Sequence, residues 1–265
     1  MKKPINNDGL VTVITPLYNA EAFISQAIES VLSQTYPHWE HLIIDDCSSD
    51  TSRAIAQDYA TKDNRIQLHT LSRNSGAAIA RNKATSLAKG SYIAFLDADD
   101  FWHPQKLEKQ LQAMQQSEAS VSFTNYIHVN SKAKAIGKRI IALASLSYKK
   151  QHRNNYIGNL TGMYKASTLG KIMVPNIRKR QDWALWLEAI KRSKKPALGL
   201  KEDLAYYRIH PDGMSANKVK LIRYNFQFYR SYLGYSRFKS LGCMLRFFWE
   251  YFVIRPRQIE TYTPD

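Results

Sequence analysis

Short β-branched and aliphatic runs recur along roughly the first half of the chain, and stretches of helical periodicity separate them. Residues 11–15 form the first run. Phe23, Ala27, Ile28, Val31 and Leu32 then follow at three- and four-residue spacing, which predicts a helix over 21–34. Residues 41–44 form a second run ending in Asp45-Asp46, and Ser48, Ser49 and Asp50 suit the N-cap region of a helix reaching about 60. A strand over 66–69, a helix over 75–88 with Gly90 in the C-cap role, and a strand over 92–96 come next. The last of these runs into Asp97-Ala98-Asp99-Asp100, ahead of a helix over 104–115 and a strand over 120–124. Strands that alternate with helices need crossover connections, which are right-handed, so the pattern predicts an α/β fold with a mostly parallel sheet flanked by helices on both faces. Ligands bind such sheets beyond the carboxyl ends of the strands.

Further on the pattern loosens. Residues 125–179 mix short strand patterns with loops, 182–191 reads as a helix and 205–210 as a strand. The last 48 residues carry 13 of the 31 aromatics, with 9 Lys/Arg against 3 Asp/Glu. Charge divides in the same sense: residues 1–105 hold 9 Lys/Arg and 12 Asp/Glu, whereas 106–265 hold 29 and 10. A second part this basic is expected to meet an anionic surface. Cys47 and Cys243 stand far apart and lack metal-ligand spacing, so both read as free thiols of a reducing compartment. The polar first ten residues do not resemble a secretory signal, and no apolar run is long enough to span a bilayer.

The acids at the strand ends carry the chemistry. Three carboxylates in Asp97-Ala98-Asp99-Asp100 repel one another, and a cation relieves that cost. Alternation along an extended chain puts Asp97 and Asp99 on the same side, and hard oxygen ligands favour Mg²⁺ or Mn²⁺. Asp46 could accept from a nucleobase N–H or a ribose hydroxyl. Each cluster also has a plainer use as a cap for the helix behind it. Asp182 opens a helix anchored by Trp183, Trp186, Leu187 and Ile190, where it could take a proton or simply serve the helix dipole.

Taken in order, these segments resemble the family 2 glycosyltransferases, which have the GT-A fold. The matching stretches are Val11-Thr12-Val13-Ile14-Thr15-Pro16-Leu17-Tyr18-Asn19, Ser30-Val31-Leu32-Ser33-Gln34-Thr35, Ile43-Ile44-Asp45-Asp46-Cys47-Ser48-Ser49-Asp50, Arg73-Asn74-Ser75-Gly76, Ala80-Arg81-Asn82 and Phe95-Leu96-Asp97-Ala98-Asp99-Asp100. The resemblance implies that Pro16, Tyr18, Asp46, Arg81 and Asp97 bind the nucleotide-sugar, with Asp46 towards the base. It makes Asp97 and Asp99 the Asp-x-Asp motif and Asp99 the metal ligand. Gln181-Asp182-Trp183-Ala184-Leu185-Trp186-Leu187 is similar to the family's acceptor-side segment, which implies that Asp182 is the catalytic base. Tyr207-Arg208-Ile209-His210-Pro211 resembles the loop that closes over the diphosphate, with Arg208 on the nucleotide-sugar and His210 on metal or phosphate. Two departures stand out: Cys47 replaces a usual Gly, and Gln181 replaces a usual acid.

The implied enzyme is an inverting, metal-dependent hexosyltransferase of bacterial surface-polysaccharide, O-antigen or capsule biosynthesis. It would use Mn²⁺ or Mg²⁺ and a nucleotide-sugar, UDP being expected by resemblance. Its glycan acceptor would be linked to a lipid diphosphate, and residues 156–165 are a reasonable lining for it. Residues 1–215 would form the GT-A domain, with 1–105 as nucleotide-binding half and 106–215 as acceptor half, and 216–265 a helical basic and aromatic tail. That tail could lie on an anionic membrane surface, making the protein cytoplasmic and peripheral on the inner face of the cell membrane, or its aromatics could pack onto the catalytic domain. Nucleic-acid binding by the basic half is the non-enzyme alternative, although no recognition motif is present and the strand-end acids would repel phosphates. A triphosphate-binding loop is excluded because residues 16–22 hold no Gly, Lys or Arg, and a dinucleotide-binding glycine motif is lacking after the first strand.

Overall fold

A computed structural model of the protein describes residues 9–209 and 218–263. The first part of the chain runs β1 (Val11–Leu17), α1 (Ile24–Leu32), β2 (Trp39–Asp45), α2 (Ser52–Lys62), β3 (Ile66–Thr70), α3 (Ala77–Leu87) and β4 (Tyr92–Phe95). The middle part follows with β5 (Phe101–Trp102), α4 (Lys106–Ser117), β6 (Val121–Val129), β7 (Ala135–Ile140), β8 (Ser145–Leu146), α5 (Tyr148–Arg153), β9 (Met163–Lys165), α6 (Ala166–Leu169), α7 (Gln181–Ser193) and β10 (Ala197–Arg208). The C-terminal segment adds α8 (Lys218–Gln227), α9 (Arg237–Trp249), each continued by a π-helical turn, and β11 (Ile259–Thr261).

One sheet runs in the order β11-β7-β6-β9-β4-β1-β2-β3, with β10 beside β6. β3, β2, β1 and β4 are all parallel, as the alternating pattern predicts, and β10 runs parallel to β6. The middle part brings in antiparallel partners, β9 against β4 and β6, and β7 against β6. The fold is therefore GT-A, with a sheet parallel on the nucleotide side and mixed beyond it. The C-terminal segment is not a detached tail: its last strand pairs with β7 at the sheet edge.

Alternation along the strands builds two core layers. Val11, Val13, Tyr92 and Ala94 face α1 and α4, while Ile14, Ile93 and Phe95 face α3 and α7. Gly90 is not the helix cap that its position suggests. Ala88 closes α3, and a Cβ on Gly90 would lie 2.6 Å from the backbone N of Thr12, so glycine is required there for close approach to β1. Gly162 makes similar room, since a Cβ there would meet the Trp186 ring at 2.1 Å.

His41 on β2 is fully buried and meets only the Thr15 hydroxyl, at 2.8 Å from Nε2, while no partner among the described residues reaches Nδ1. Burial pushes its pKa down from 6.5 to about 3. The unfolded chain therefore binds one more proton than the folded chain between those values, and this contribution to stability is lost as pH falls through that window. One proton corresponds to a slope of about 1.4 kcal/mol per pH unit. Urea unfolding from pH 6 to pH 4 should show this slope in the wild type, and His41→Gln should flatten it by about that amount; an unchanged slope would mean that His41 is not the group responsible.

Candidate active site

The parallel register puts the carboxyl ends of β1, β2 and β4 on one rim. Asp46 donates its N–H to the Leu17 carbonyl at 2.8 Å, and Leu96 donates to Ile14 at 3.0 Å, so the acids after β2 and β4 flank the end of β1. Two loops on this rim are laced together. The Asn19 carboxamide accepts from Ser49 N–H at 2.8 Å, the Glu21 carboxylate from Thr51 N–H at 3.0 Å, and Ser52 Oγ from Ala20 N–H at 2.8 Å. Cys47, at the usual glycine position, keeps the left-handed turn (φ 60°), and its thiol donates to the Leu71 carbonyl at 2.9 Å.

Pro16, one residue before the end of β1, is half-buried, and Tyr18 just beyond the strand is 51% exposed, so its ring is available at the rim. Asp46 is 3% exposed, and its two carboxylate oxygens accept the N–H groups of Ser75 (2.6 Å) and Gly76 (2.7 Å) at the start of α3. These bonds fix the Arg73–Gly76 loop, just ahead of α3, against the rim. Each oxygen keeps a second lone pair.

The turn after β4 gathers the other acids. Asp97 Oδ1 accepts from Arg81 at 2.5 Å and from the Asn159 amide at 3.1 Å. Arg81 is buried and uses Nη1 to reach the Gln181 side chain at 2.9 Å. One guanidinium thus ties the end of β4 to the first residue of α7. Gln181, at the position where an acid is usual, accepts this bond without adding charge. Asp182 follows it, with Oδ2 accepting from the Asn155 amide at 2.6 Å. Arg180, before it, has a left-handed backbone (φ 71°) and donates to Asn225 of α8 at 2.6 Å. Tyr126 of β6 lies within reach of the charges of both Asp100 and Asp182. Burial pushes that phenol up, and Arg255, reaching in from the C-terminal segment, hydrogen-bonds it and opposes the shift.

Asp100 is buried, and its carboxylate accepts the Arg208 N–H at 2.8 Å. Burial, then the charges of Asp99 and Asp97, hold it well above the usual carboxylate range. Arg208 is engaged inside the protein: it donates to the carbonyls of Asp99 (2.7 Å), Asn130 (3.1 Å) and Ser131 (2.8 Å) and to the Gln26 side chain. Four of its five donors are spent, so it acts as a strut beneath the Asp99-Asp100 turn. His210 lies outside the described residues.

Among the described residues no group of three or more His, Cys, Asp or Glu side chains forms a closed metal site. The arrangement suits a hard divalent ion of another kind. The donors are carboxylate oxygens, the charges of Asp99 and Asp97 still raise Asp100 against the offsetting Arg208, and such ions commonly take one or two carboxylates and complete their shell with substrate phosphates and water. Asn155, Asn159 and Arg180 hold the acids in place and carry no sequence signal of their own. Of residues 156–165, Asn159 bonds Asp97.

A parallel sheet with acids along its carboxyl rim and a further carboxylate at the start of a facing helix is the layout of a nucleotide-sugar transferase. The chain belongs to glycosyl transferase family 2, whose sequence model matches residues 12–174. It is 43% identical over 238 residues to a putative teichuronic acid biosynthesis glycosyltransferase, TuaG, of Bacillus subtilis, covering 90% of this chain and 94% of that protein. It is 38% identical over 217 residues, 82% and 84% of the two chains, to the Escherichia coli UDP-Glc:alpha-D-GlcNAc-diphosphoundecaprenol beta-1,3-glucosyltransferase WfgD. Among solved structures it is similar to S. aureus TarS 1–349 in complex with UDP-GlcNAc, at a TM-score of 0.72 and 19% identity over 93% of this chain and 74% of that one. The protein is a glycosyltransferase, and the nucleic-acid alternative falls with that assignment.

Proposed function

We propose that the protein transfers a hexosyl group, with inversion, from a UDP-sugar to a glycan acceptor carried on a lipid diphosphate, at the inner face of the cell membrane. The observation that carries this reading is the Arg81 bridge, which ties Asp97 to Gln181 at the start of α7, next to Asp182. The names of WfgD and TuaG support a UDP-sugar donor, a diphosphoundecaprenol acceptor and a surface-polysaccharide product.

In this reading the base and ribose lie along Pro16, Tyr18 and Asp46, and Asp97 offers the oxygen not taken by Arg81 and Asn159. Asp182, oriented by Asn155, accepts the proton of the acceptor hydroxyl as its oxygen attacks the anomeric carbon. The new carbon–oxygen bond forms as the bond to the diphosphate breaks, and UDP leaves with that electron pair. Mn²⁺ or Mg²⁺, held by Asp99 with His210 as a second candidate ligand, would neutralise charge on the leaving diphosphate. Arg81 keeps the two halves in register, and Arg208 supports the Asp99-Asp100 turn.

The test is UDP release from a panel of UDP-sugars with a polyprenyl-diphosphate-linked GlcNAc acceptor, in Mn²⁺, Mg²⁺ or chelator. One UDP-sugar should turn over, and chelation should lower the rate by at least about 100-fold, the scale of losing one strong charge-stabilising contact. Absence of UDP affinity in the presence of manganese would overturn the reading.

A further inference from the structure

The C-terminal segment has one side packed and one side bare. Ser240, Cys243, Met244 and Phe247 of α9 are buried, the last three against Trp183, Ala184 and Leu187 of α7. On the opposite side stand Phe238 (88% exposed), Leu241 (55%), Leu245 (73%), Trp249 (62%) and Phe252 (68%). Their spacing of three and four residues places them within roughly 80° of one another on a helix. The sequence alone leaves open whether these aromatics meet a membrane or pack on the domain; the structure packs one face of the helix and leaves the other exposed.

A contiguous exposed stripe of five large apolar side chains marks an interaction surface. Its flanks are basic: Arg237 on one side, Lys239 and Arg246 on the other, all exposed. Where the stripe meets α5, a recess of about 310 Å³ opens between Arg153, Leu245, Arg246, Trp249 and Glu250. Glu250 is buried and held by Lys150 and the Tyr156 hydroxyl, so its charge is answered within the protein. Among the described residues neither Arg153 nor Arg246 forms an ion pair with a carboxylate. No helix among the described residues is long and apolar enough to cross a membrane, and α9, at 13 residues, has the length of a helix that lies in the interface.

We propose that this face is a membrane-docking surface. Phe238, Leu241, Leu245, Trp249 and Phe252 enter the acyl boundary, and Arg153 with Arg246 receives the phosphate of an anionic phospholipid headgroup. The inference rests on the lipid-linked acceptor proposed above and adds where the bilayer sits. Phe247 of α9 meets Trp183, the residue after Asp182, with ring centroids 5.9 Å apart, so this segment covers the start of α7. Arg153 is also only two residues from Asn155, which holds that carboxylate. A sugar on a lipid diphosphate embedded at this face stands at the height of the base. A second copy of the chain fits the face less well. Residues 237–257 carry five basic residues and one acid, the buried Glu250, so a self-complementary contact would oppose like charges.

The experiment is flotation of the full chain with vesicles of phosphatidylcholine alone or of equal parts phosphatidylcholine and phosphatidylglycerol. The wild type should bind the anionic vesicles. Leu245→Glu combined with Trp249→Glu, and separately Phe238→Ser, should each weaken binding at least about tenfold with an unchanged melting temperature. Arg246→Gln should reduce the preference for anionic over neutral vesicles by about fivefold. Equal binding of wild type and variants, indifference to phosphatidylglycerol, or variants that instead convert a dimer to a monomer in sedimentation would overturn the proposal. UDP-sugar hydrolysis in solution separates the two levels: no turnover by the wild type defeats the transferase reading, whereas turnover without vesicle binding defeats the docking face alone.

Discussion

Asp182→Asn is expected to lower glycosyl transfer by a factor of about 10² to 10⁴, the range over which a positioned proton acceptor contributes, while UDP-sugar affinity changes little. The substitution is nearly isosteric. The Asn155 amide that donates to Asp182 Oδ2 at 2.6 Å would find the carboxamide oxygen in the same place. The neighbours that fix the first turn, Arg180 on Asn225 and Gln181 on Arg81, are untouched. What disappears is basicity, along with a helix-dipole interaction worth up to about 2 kcal/mol at a partly buried site. In the proposed reading the donor contacts come from the ends of β1, β2 and β4, and Asp182 makes none of the hydrogen bonds that shape those ends. Calorimetric titration of UDP and steady-state transfer, measured on one preparation, therefore separate the roles. Transfer within a few-fold of wild type removes Asp182 as base. A parallel loss of UDP affinity instead makes it part of the donor site, and a lower melting temperature makes it only a helix residue.

The parts of this site that are local in sequence were legible, and those made by distant chain segments were not. Strand runs ending in acids predict β1, β2 and β4 and one acidic rim, because strand direction and side-chain alternation are properties of a few consecutive residues. Gly90 was misread for the opposite reason. Its lack of a Cβ answers to Thr12, which sequence does not place beside it. Asp46 has the same history: an acid at a strand end is visible, but the Ser75 and Gly76 N–H groups that occupy it come from 29 and 30 residues away. Arg208 was expected to face the diphosphate, yet Gln26, Asn130 and Ser131 take up its donors, and no motif joins those positions. Asn155 and Asn159 sit in a loop without periodicity, so nothing but the fold reveals that they hold the two acids.

Asp99→Ala should abolish metal-dependent turnover without destabilising the protein, and the sign of the second effect tells a ligand from a structural acid. Asp100 is held well above the usual carboxylate range by burial and then by the charges of Asp99 and Asp97. An acid whose folded pKa is raised costs stability once pH exceeds its unfolded value, so at neutral pH this turn is a burden on the unliganded protein. Removing Asp99 takes away one repelling charge. It moves Asp100 back towards its ordinary range, and the melting temperature without ligand should stay level or rise. With UDP and Mn²⁺ the order should reverse. A ligand at 100 times its Kd stabilises the wild type by about 2.7 kcal/mol, and the variant, lacking the carboxylate that anchors the ion, should gain little of this. Turnover should fall by at least about 10³-fold, somewhat more than the loss of one neutral donor to a developing oxyanion. Chelator on the wild type should reproduce the loss of both the thermal shift and turnover, and added Mn²⁺ should restore both in the wild type alone. If Asp99→Ala melts lower without ligand but keeps its full shift with UDP and Mn²⁺, Asp99 is a turn residue and the ion is held elsewhere.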